Sequence, residues 1–436
     1  MIRSQSRSGI LDEKPTFSLV SMVRTKSLRN VVLALCCVVG VLHIKQQLSN
    51  GQKTNVISPY QQEVSNIRVA KIRTMLDNGY CIAANVIQGE ITEYERITLI
   101  LHISNDRLDD RILTHVKNWD GPVSLSVAFP EQTTYNSTAL KCAVDSLLEL
   151  QAKHLEIRQK LSVHFLARNV SECSDFVLTT GHALGSVPER QVSVEECKPK
   201  KENLSADQLA EKFVQYPVNK ARNVARKFAT TKYILSADMD HLFSENFESR
   251  MISLAERTLD KDPKTVLVYR IFEVSKNAPR LPRTKEDLLE LYIDGTAEEF
   301  HKYYGAHSIP RLYQWFRSAD DGATTNIQFY RPYTSHHWEP QFVALNNIPE
   351  HDETFIYSTR DNTCLRWEMC RAGYKFAIVE NVFMFHSGYK EVKEISLMTK
   401  ARHIVGRKQN TIITNFNKRM DQMYNSTKKS CPRYEV

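Results

Sequence analysis

Short apolar runs alternate with amphipathic segments along most of this chain. Residues 97–103 (ITLILHI), 123–129 (VSLSVAF) and 162–167 (SVHFLA) are short and largely apolar, which predicts buried strands. Apolar residues recur at helical spacing over residues 139–161, and residues 217–229 open with a proline, which favours the first turn of a helix. Alternation of strands and helices predicts an α/β domain with a largely parallel sheet.

The longest apolar run near the amino terminus is NVVLALCCVVGVLHI, residues 30–44, and it follows a segment rich in Lys and Arg. It is shorter than the roughly 17–25 residues that span a bilayer comfortably, and a cleaved signal peptide and a buried core helix are the alternatives. The basic flank favours a cytosolic amino terminus. We therefore predict a cytosolic tail (1–29), a signal-anchor transmembrane helix (30–44), a stem (45–75) and a lumenal domain (76–436).

Glycosylation sequons and cysteines agree with a lumenal chain. Seven cysteines follow the apolar run without a CxxC pair or zinc spacing, so an oxidising compartment predicts disulfides among them. Seven is odd, so at least one is free or bonded to another chain, which leaves a homo- or heterodimer open. We expect a single-pass type II protein of the Golgi membrane, or of the endoplasmic reticulum, with N-glycosylation at the four sequons after the apolar run: Asn136, Asn169, Asn203 and Asn425.

The charge of the chain argues against a nucleic-acid partner. The net charge of +8 has no single basic block behind it and no basic stripe with interleaved aromatic residues. Part of the excess lies in the first 60 residues, where it fits the predicted membrane topology. The 42% hydrophobic and 25% charged content is that of a globular protein.

Two acidic pairs stand out. In YILSADMDHLF an apolar strand ends in Asp238 and Asp240, and ligands of open α/β sheets bind outside the carboxyl ends of strands. Two hard oxygen ligands suit Mn²⁺ or Mg²⁺, which would stabilise a nucleoside-diphosphate leaving group; a solvated loop or a helix N-cap at Asp240 is the alternative. Asp260 and Asp262 precede Pro263 at the predicted end of a helix, which indicates an ordinary turn.

The first of these pairs belongs to a set of four sequence blocks, of which the first contains Asp238 and Asp240. The blocks are YPVNKARNVARKFATTKYILSADMDHLF, WDGPVSLSVAFP, HWEPQFVAL and DETFIYSTRDNTCLRWEMCRAGYKFAIVENVFMFHSGYK. Together they resemble glycosyltransferase family 49, which contains the glucuronyltransferases that elongate the dystroglycan O-mannosyl glycan. The likeness runs from about Tyr80 to Tyr389. It implies a GT-A fold, which is a Rossmann-like, mixed and mainly parallel sheet with flanking helices, together with a UDP-sugar donor and Mn²⁺.

The resemblance also assigns roles to residues at the metal and donor sites. Asp238 and Asp240 match the metal-binding DxD of the family, and His386 matches a histidine that completes the metal site. A lone histidine after an apolar run is otherwise a core or edge residue. The family's N-x-x-R-N motif falls on Asn219, Arg222 and Asn223 and implies donor binding, to which the alternative is a solvated helix face.

Trp338 and Glu339 match the family's WEP motif and imply acceptor binding, because an indole stacks on a pyranose and a carboxylate bonds its hydroxyls. Plain core packing is the alternative for Trp338.

One block departs from the family pattern. DETFIYSTRDN, from Asp352 to Asn362, stands where DERF-x-GYG-x-NK is usual; Tyr357 and Thr359 replace the glycines, and Asp361 replaces an asparagine. Loss of glycines should reshape the sugar or acceptor pocket. Inverting transfer needs a carboxylate to take the acceptor proton, and the candidates are Asp352, Glu353 and Asp361, each of which is alternatively a surface charge.

The resemblance therefore predicts a type II membrane glycosyltransferase that transfers glucuronic acid from a UDP-sugar to a glycan or glycoprotein acceptor, with inversion and with Mn²⁺ (or Mg²⁺). A β-1,3-N-acetylglucosaminyltransferase is the nearest alternative. A non-catalytic, glycan-binding relative and a metal-dependent nucleoside-diphosphate hydrolase are further alternatives.

Overall fold

A computed structural model describes residues 73–129, 137–168, 173, 197, 204–302, 305–389, 392–431 and 433–435. All of them fall within one unit of the chain, residues 63–436. The predicted tail, the predicted anchor and nearly all of the predicted stem lie outside the described residues. In the part that is described, no helix combines the length and the apolar character needed to cross a membrane.

Twelve strands of the described residues form one mixed sheet. The strands are β1 (Arg73–Asp77), β2 (Tyr80–Ile87), β3 (Ile97–Ser104), β4 (Val123–Phe129), β5 (Leu161–Arg168), β6 (Tyr233–Ser236), β7 (His241–Phe243), β8 (Thr265–Val274), β9 (Ala297–Glu299), β10 (Ile327–Arg331), β11 (Gln341–Leu345) and β12 (Lys375–Ser387).

The strand order is β1-β2-β5-β4-β3-β6-β11-β8-β12-β10, with β7 beside β12 and β9 beside β8. Strands β5, β4, β3 and β6 are mutually parallel, as are β8 and β12, whereas β11 runs antiparallel to both of its neighbours. The predicted mixed α/β sheet is therefore confirmed.

The helices within the described ranges are α1 (Arg111–Asn118), α2 (Thr138–Lys153), α3 (Leu155–Lys160), α4 (Ala206–Val214), α5 (Val218–Lys227), α6 (Phe247–Leu259), α7 (Lys285–Ile293), α8 (Leu312–Arg317), α9 (Thr363–Arg371) and α10 (Val392–Met423), which is kinked at Gly406. Helix α5 packs across β3, β4 and β5 and leads directly towards β6.

Burial explains why the apolar runs become strands. Every residue of β4 and all but the last of β3 are buried, as expected for parallel strands that are covered by helices on both faces. Deep burial of these runs removes apolar surface from water, at roughly 25 cal/mol per Å². The central strands therefore form a rigid platform for the residues at their carboxyl ends.

Two local predictions are corrected. The single helix predicted over residues 139–161 is two helices, α2 and α3, because His154 between them has an extended backbone (φ −129°, ψ 119°). Pro217 does not begin the first turn of α5 but occupies the capping position just before it.

Within the described residues, three disulfides join Cys81 to Cys173, Cys142 to Cys197 and Cys370 to Cys431. Among the described residues, Cys364 is a free and buried cysteine. The expectation of disulfides with at least one cysteine left over is therefore confirmed for this part of the chain. The last disulfide fixes the carboxyl-terminal segment against helix α9.

Candidate active site

Asp238 and Asp240 lie in the turn between β6 and β7, at the carboxyl end of the parallel strands. Strand β7 pairs with the end of β12 and places His241 opposite His386. The two aspartate side chains are 46% and 52% exposed although the strands around them are buried. The sequence therefore delivers two accessible carboxylates and two imidazoles to one edge of the sheet.

Asp238 is held by groups from three other elements. Its Oδ1 atom lies 3.2 Å from His102 Nε2 on β3 and 3.4 Å from Arg222 Nη2 on α5. Its backbone N–H donates to His241 Nδ1 at 3.2 Å. Burial raises the pKa of Asp238, but the hydrogen bond from His102 and the charge of Arg222 outweigh this effect, so the pKa lies well below its usual range.

The contact with His102 has a defined proton arrangement. His102 Nδ1 lies 2.8 Å from the phenol oxygen of Tyr216. Burial raises the pKa of Tyr216 and lowers that of His102, so the phenol is protonated and the imidazole is neutral. Tyr216 therefore donates to Nδ1, and the proton on Nε2 is donated to Asp238.

Asp240 pairs with His386. Its Oδ2 atom is 3.1 Å from His386 Nε2, while His386 Nδ1 donates to the Gly388 carbonyl at 2.7 Å. Burial lowers the pKa of His386, but the hydrogen bond and charge of Asp240 outweigh it and leave the pKa above its usual value. Burial raises the pKa of Asp240, and its hydrogen bond to His386 and the charge of His241 bring it below the usual value.

The donor types at this edge fit a divalent cation. Carboxylate oxygens and a neutral imidazole nitrogen are ligands of Mn²⁺, and a metal-binding histidine normally donates its other ring N–H to a carbonyl, as His386 does to Gly388. A proton shared by Nε2 and Oδ2 now joins Asp240 to His386, and metal binding releases such protons. Within the described ranges, no three His, Cys, Asp or Glu side chains are already gathered as a metal site.

Arg222 links the acidic turn to the divergent block. It is only 5% exposed, and it donates from Nη1 to Asp361 Oδ2 at 2.8 Å and to Asn219 Oδ1 at 3.0 Å. With Nη2 directed at Asp238, the guanidinium contacts two carboxylates at once. Asp361 is thereby brought to the candidate site.

Asn219 and Asn223 bind the backbone of a loop, residues 351–361, that contains most of this block. The Asn219 amide donates to the carbonyls of Asp352 and Asp361, at 2.8 and 2.9 Å. Asn223 donates to the His351 carbonyl at 2.8 Å and accepts from the His351 N–H at 3.0 Å. The predicted donor-binding asparagines thus hold a loop beside the site, and a contact with the donor stays a prediction.

Asp352 and Glu353 are engaged away from the two aspartates. Asp352 Oδ1 accepts from the Thr354 N–H at 2.9 Å, and Oδ2 lies 3.2 Å from Arg419. The Glu353 carboxylate pairs with Lys220 at 3.1 Å and with the Asn223 amide at 3.0 Å. Of the three candidate bases, only Asp361 shares a partner with the acidic turn.

Of the two residues predicted to bind the acceptor, Trp338 lies in the core and Glu339 is partly exposed. Trp338 is buried against Tyr333 and Phe376, and the Arg331 guanidinium stacks over its ring at 4.1 Å. Glu339 is 29% exposed, with Oε2 3.4 Å from His307 Nε2. Binding of an acceptor by these two residues stays a prediction.

The remaining predicted positions lie outside the site. The second acidic pair has the expected structural role, since Asp260 bonds to Lys232 and Tyr233, and Asp262 bonds to Thr265 and Lys375. Asn425 is exposed at the start of a 3₁₀ turn. The other three sequon asparagines, at 136, 169 and 203, lie outside the described residues.

Sequence reasoning missed four residues at this edge: His102, Tyr216, His241 and His307. His102 interrupts the apolar run of β3, and the parallel register that places Ile100 opposite Ser236 also places His102 level with Asp238. That signal is readable only when the pairing of β3 with β6, two segments far apart in the chain, is known.

Comparisons with known proteins bear on the same region. The family described as glycosyl-transferase for dystroglycan matches residues 96–425. The beta-1,4-glucuronyltransferase 1 of Bos taurus is 25% identical over 77% of this chain and 79% of its own length, and that of Danio rerio is 26% identical over half of either chain. The xylosyl- and glucuronyltransferase LARGE2 of Mus musculus is 28% identical over 42% of this chain and 26% of its own length.

Among solved structures, that of GalNAc-T7 with UDP, GalNAc and Mn²⁺ matches with a TM-score of 0.37 and 8% identity, over 78% of this chain and 58% of that one. This TM-score is too low to indicate the fold or the function of the chain.

Proposed function

Because the chain belongs to the family described as glycosyl-transferase for dystroglycan, we propose that it is a Mn²⁺-dependent enzyme with a GT-A fold. In this proposal it transfers glucuronic acid from a UDP-sugar to a glycan acceptor with inversion. The observation that carries the proposal is the pair of accessible carboxylates, Asp238 and Asp240, beside His386 at the carboxyl end of the parallel strands. We propose glucuronic acid as the transferred sugar because the relatives described above are named as glucuronyltransferases.

Each residue of the site has a defined part in this proposal. Asp238, Asp240 and His386 would hold the cation, which when bound supplies positive charge to the diphosphate of the leaving UDP. His102 and Arg222 keep Asp238 ionised and fixed in orientation. Arg222 also adds a permanent positive charge beside the space that a diphosphate would fill.

The first test is a donor screen on the purified protein. UDP release is measured from UDP-glucuronic acid, UDP-N-acetylglucosamine, UDP-galactose, UDP-glucose and UDP-xylose, with and without Mn²⁺, over a panel of 4-nitrophenyl glycosides. We expect Mn²⁺-dependent turnover of UDP-glucuronic acid. Asp240→Asn should lower turnover by about 10²–10³-fold, the scale of losing one electrostatic group of an active site.

The chain offers a matched control for this substitution. Asp262→Asn alters the second acidic pair, which belongs to a turn, and should leave turnover unchanged. Turnover of UDP-N-acetylglucosamine instead would contradict the proposed donor, but it would leave the proposed metal site standing. Tight binding of UDP and Mn²⁺ without turnover of any donor would favour the non-catalytic relative and refute the enzyme.

We further propose the type II topology and the Golgi membrane as the location. The disulfides of the described part support an oxidising compartment, and residues 30–44 would provide the anchor. Protease protection of the carboxyl-terminal domain in sealed microsomes, and a mass shift on glycosidase treatment that Asn425→Gln reduces, are the expected results. A domain that is digested in intact microsomes would contradict the topology.

A further inference from the structure

Glu339 lies at the same edge of the sheet as the acidic turn. Strand β11 runs antiparallel to β6, with Val343 opposite Leu235, so the residues that precede β11 lie next to the residues that follow β6. Continued in the same register, Glu339 falls level with the turn that contains Asp238 and Asp240. A carboxylate from the segment just before β11 is thus added to the candidate site.

The main chain of Glu339 is fixed on the segment that contains His307. The Glu339 N–H donates to the Ala306 carbonyl at 2.7 Å, and His307 Nδ1 donates to the Glu339 carbonyl at 2.9 Å. His307 is buried, and burial lowers its pKa to about 3, so the ring is neutral. Because its proton is on Nδ1, the Nε2 atom that faces Glu339 Oε2 at 3.4 Å carries a lone pair.

The neutral ring gives Glu339 no proton and no positive charge. Within the described residues, His307 is the one ionisable group within ion-pairing distance of this carboxylate. The other three carboxylates considered above are each paired with a cation: Asp361 with Arg222, Asp352 with Arg419 and Glu353 with Lys220. Glu339 is therefore the carboxylate of this group that remains free to accept a proton.

Its surroundings suit that chemistry. The side chain is 29% exposed, so a hydroxyl group can reach it. Burial raises the pKa of Glu339, the charges of Asp361 and Asp238 raise it further, and those of Arg366 and Arg222 lower it. A carboxylate whose pKa is raised towards neutrality accepts a proton more readily in the transition state.

We infer that Glu339 is the general base of the transfer reaction, an inference that rests on the proposed function. The acceptor hydroxyl oxygen forms a bond to the anomeric carbon, and the bond from that carbon to the β-phosphate oxygen breaks. The electron pair of the broken bond leaves with UDP, and the hydroxyl proton moves to the Glu339 carboxylate. The protonated carboxyl later returns the proton to solvent.

The test compares the full-length wild-type protein with Glu339→Gln, Glu339→Asp and Glu339→Ala, using the donor found in the screen. Glu339→Gln keeps the shape and should lower transfer to the 4-nitrophenyl acceptors by about 10²–10⁴-fold, while UDP binding in the presence of Mn²⁺, measured by calorimetry, stays within about twofold. Glu339→Asp should recover part of the activity. Asp262→Asn serves as a remote carboxylate control and should match the wild type.

Azide distinguishes a base from a group that binds the donor, because azide is an anionic nucleophile with no proton to lose. Glu339→Ala with azide should release UDP and form a glycosyl azide, whereas Asp240→Asn with azide should not. Wild-type transfer rates in Glu339→Gln would overturn the inference. So would a Glu339→Ala protein that binds UDP normally and gives no product with azide.

Failure of the proposed function has a separate signature. A wild-type protein that turns over none of the donors would refute the glycosyltransferase proposal, and the role of Glu339 would fall with it. Wild-type turnover that survives every Glu339 substitution would refute only the role of Glu339.

Discussion

The proton arrangement around Asp238 shows how one side chain is positioned through another. Tyr216 donates to His102, and His102 donates to Asp238. The pKa of each group is displaced in the direction that maintains these two donations. Since a neutral imidazole has one donor and one acceptor nitrogen, the bond from the Tyr216 phenol to Nδ1 places the ring proton on Nε2, the nitrogen that faces the aspartate.

We expect Tyr216→Phe to affect Asp238 indirectly, through the hydrogen bond that His102 donates to it. The substitution leaves the buried Nδ1 of His102 without its donor, which should cost about 1–3 kcal/mol of unfolding free energy. A misoriented His102 should also weaken Mn²⁺-dependent UDP binding by about 10–100-fold, the usual effect of residues that orient metal ligands. Urea unfolding and UDP titration measure the two effects.

The control for this prediction is Tyr313→Phe, whose phenol ring is largely exposed. It should change neither quantity. Loss of stability in Tyr216→Phe with unchanged UDP affinity would indicate a packing role alone.

At the scale of elements, a second buried histidine joins three strands and a helix. The Asn85 N–H of β2 donates to His164 Nδ1 of β5 at 3.0 Å, and His164 Nε2 lies 3.0 Å from the Ser124 hydroxyl of β4. Ser124 donates in turn to the Ala225 carbonyl of α5 at 2.6 Å, so His164 is the donor to Ser124. This neutral network ties the helix that carries Arg222 to the sheet beneath it.

Burial lowers the pKa of His164 to about 3, from an ordinary value of 6.5. The unfolded chain therefore binds a proton below about pH 6.5 that the folded protein binds only below about 3. Stability should be highest above pH 6.5 and fall as the pH drops through this window, by about 1.4 kcal/mol per pH unit for this group. His115 and His307, with pKa values lowered to about 4 and 3, add to the trend.

His164→Gln should be less stable than the wild type at pH 7 but should lose less stability between pH 7 and pH 4. Urea midpoints at three pH values measure this slope. His403→Gln, at an exposed position of α10, should retain the wild-type slope. Equal slopes in all three proteins would contradict the role given to His164.

Apolar patterning predicts the elements better than it predicts their pairing. Strands β3 and β4 are visible in the sequence because they are buried on both faces and so read as continuous apolar runs. The break between α2 and α3 at the single extended residue His154 is not visible in the sequence, because apolar residues continue at helical spacing across it. Periodicity reports burial, and a one-residue break barely alters burial.

The site was predictable only as far as it is local in sequence. Asp238 and Asp240 are adjacent to a recognisable strand, and the family resemblance supplied His386. The contact of His102 with Asp238 and the position of Glu339 both depend on which strands lie beside β6. Those neighbours come from distant parts of the chain, and no local pattern specifies them.

The carboxyl-terminal segment depends on one covalent link to α9. The disulfide between Cys370 and Cys431 closes a separation of 61 residues. Replacing both cysteines by serine should cost about 2–5 kcal/mol of unfolding free energy, measured by urea unfolding. Cys364→Ala is the control at a cysteine that is already free, and a double variant as stable as the wild type would contradict the prediction.

At the scale of the whole molecule, the site exists only when the sheet is complete. Its groups come from β3, helix α5, the turn after β6, Glu339 before β11 and the end of β12. These strands belong to one sheet in which each is hydrogen-bonded to its neighbours. Ligand binding should therefore stabilise the entire fold, because an unfolded chain does not present these groups together.

We expect UDP and Mn²⁺ together to raise the unfolding free energy of the protein by about 2.7 kcal/mol when UDP is present at a hundredfold excess over its dissociation constant. Thermal unfolding with UDP, with Mn²⁺ and with both measures the effect. Asp240→Asn should abolish the stabilisation and Asp262→Asn should retain it. Equal stabilisation by UDP in the presence of a chelator would argue against a metal in donor binding.

The contacts made by Asn219 and Asn223 have a consequence for how this protein can change over time. Both asparagines bind main-chain groups of the 351–361 loop, and these groups do not depend on the side chains of the loop; Glu353 and Asp361 add side-chain ion pairs. Apart from Glu353 and Asp361, the loop can therefore exchange side chains and keep its main-chain bonds beside the site. That freedom accounts for a block that departs from the family pattern within a retained scaffold, and it makes this loop the natural segment to randomise in a directed-evolution library for new sugar specificities.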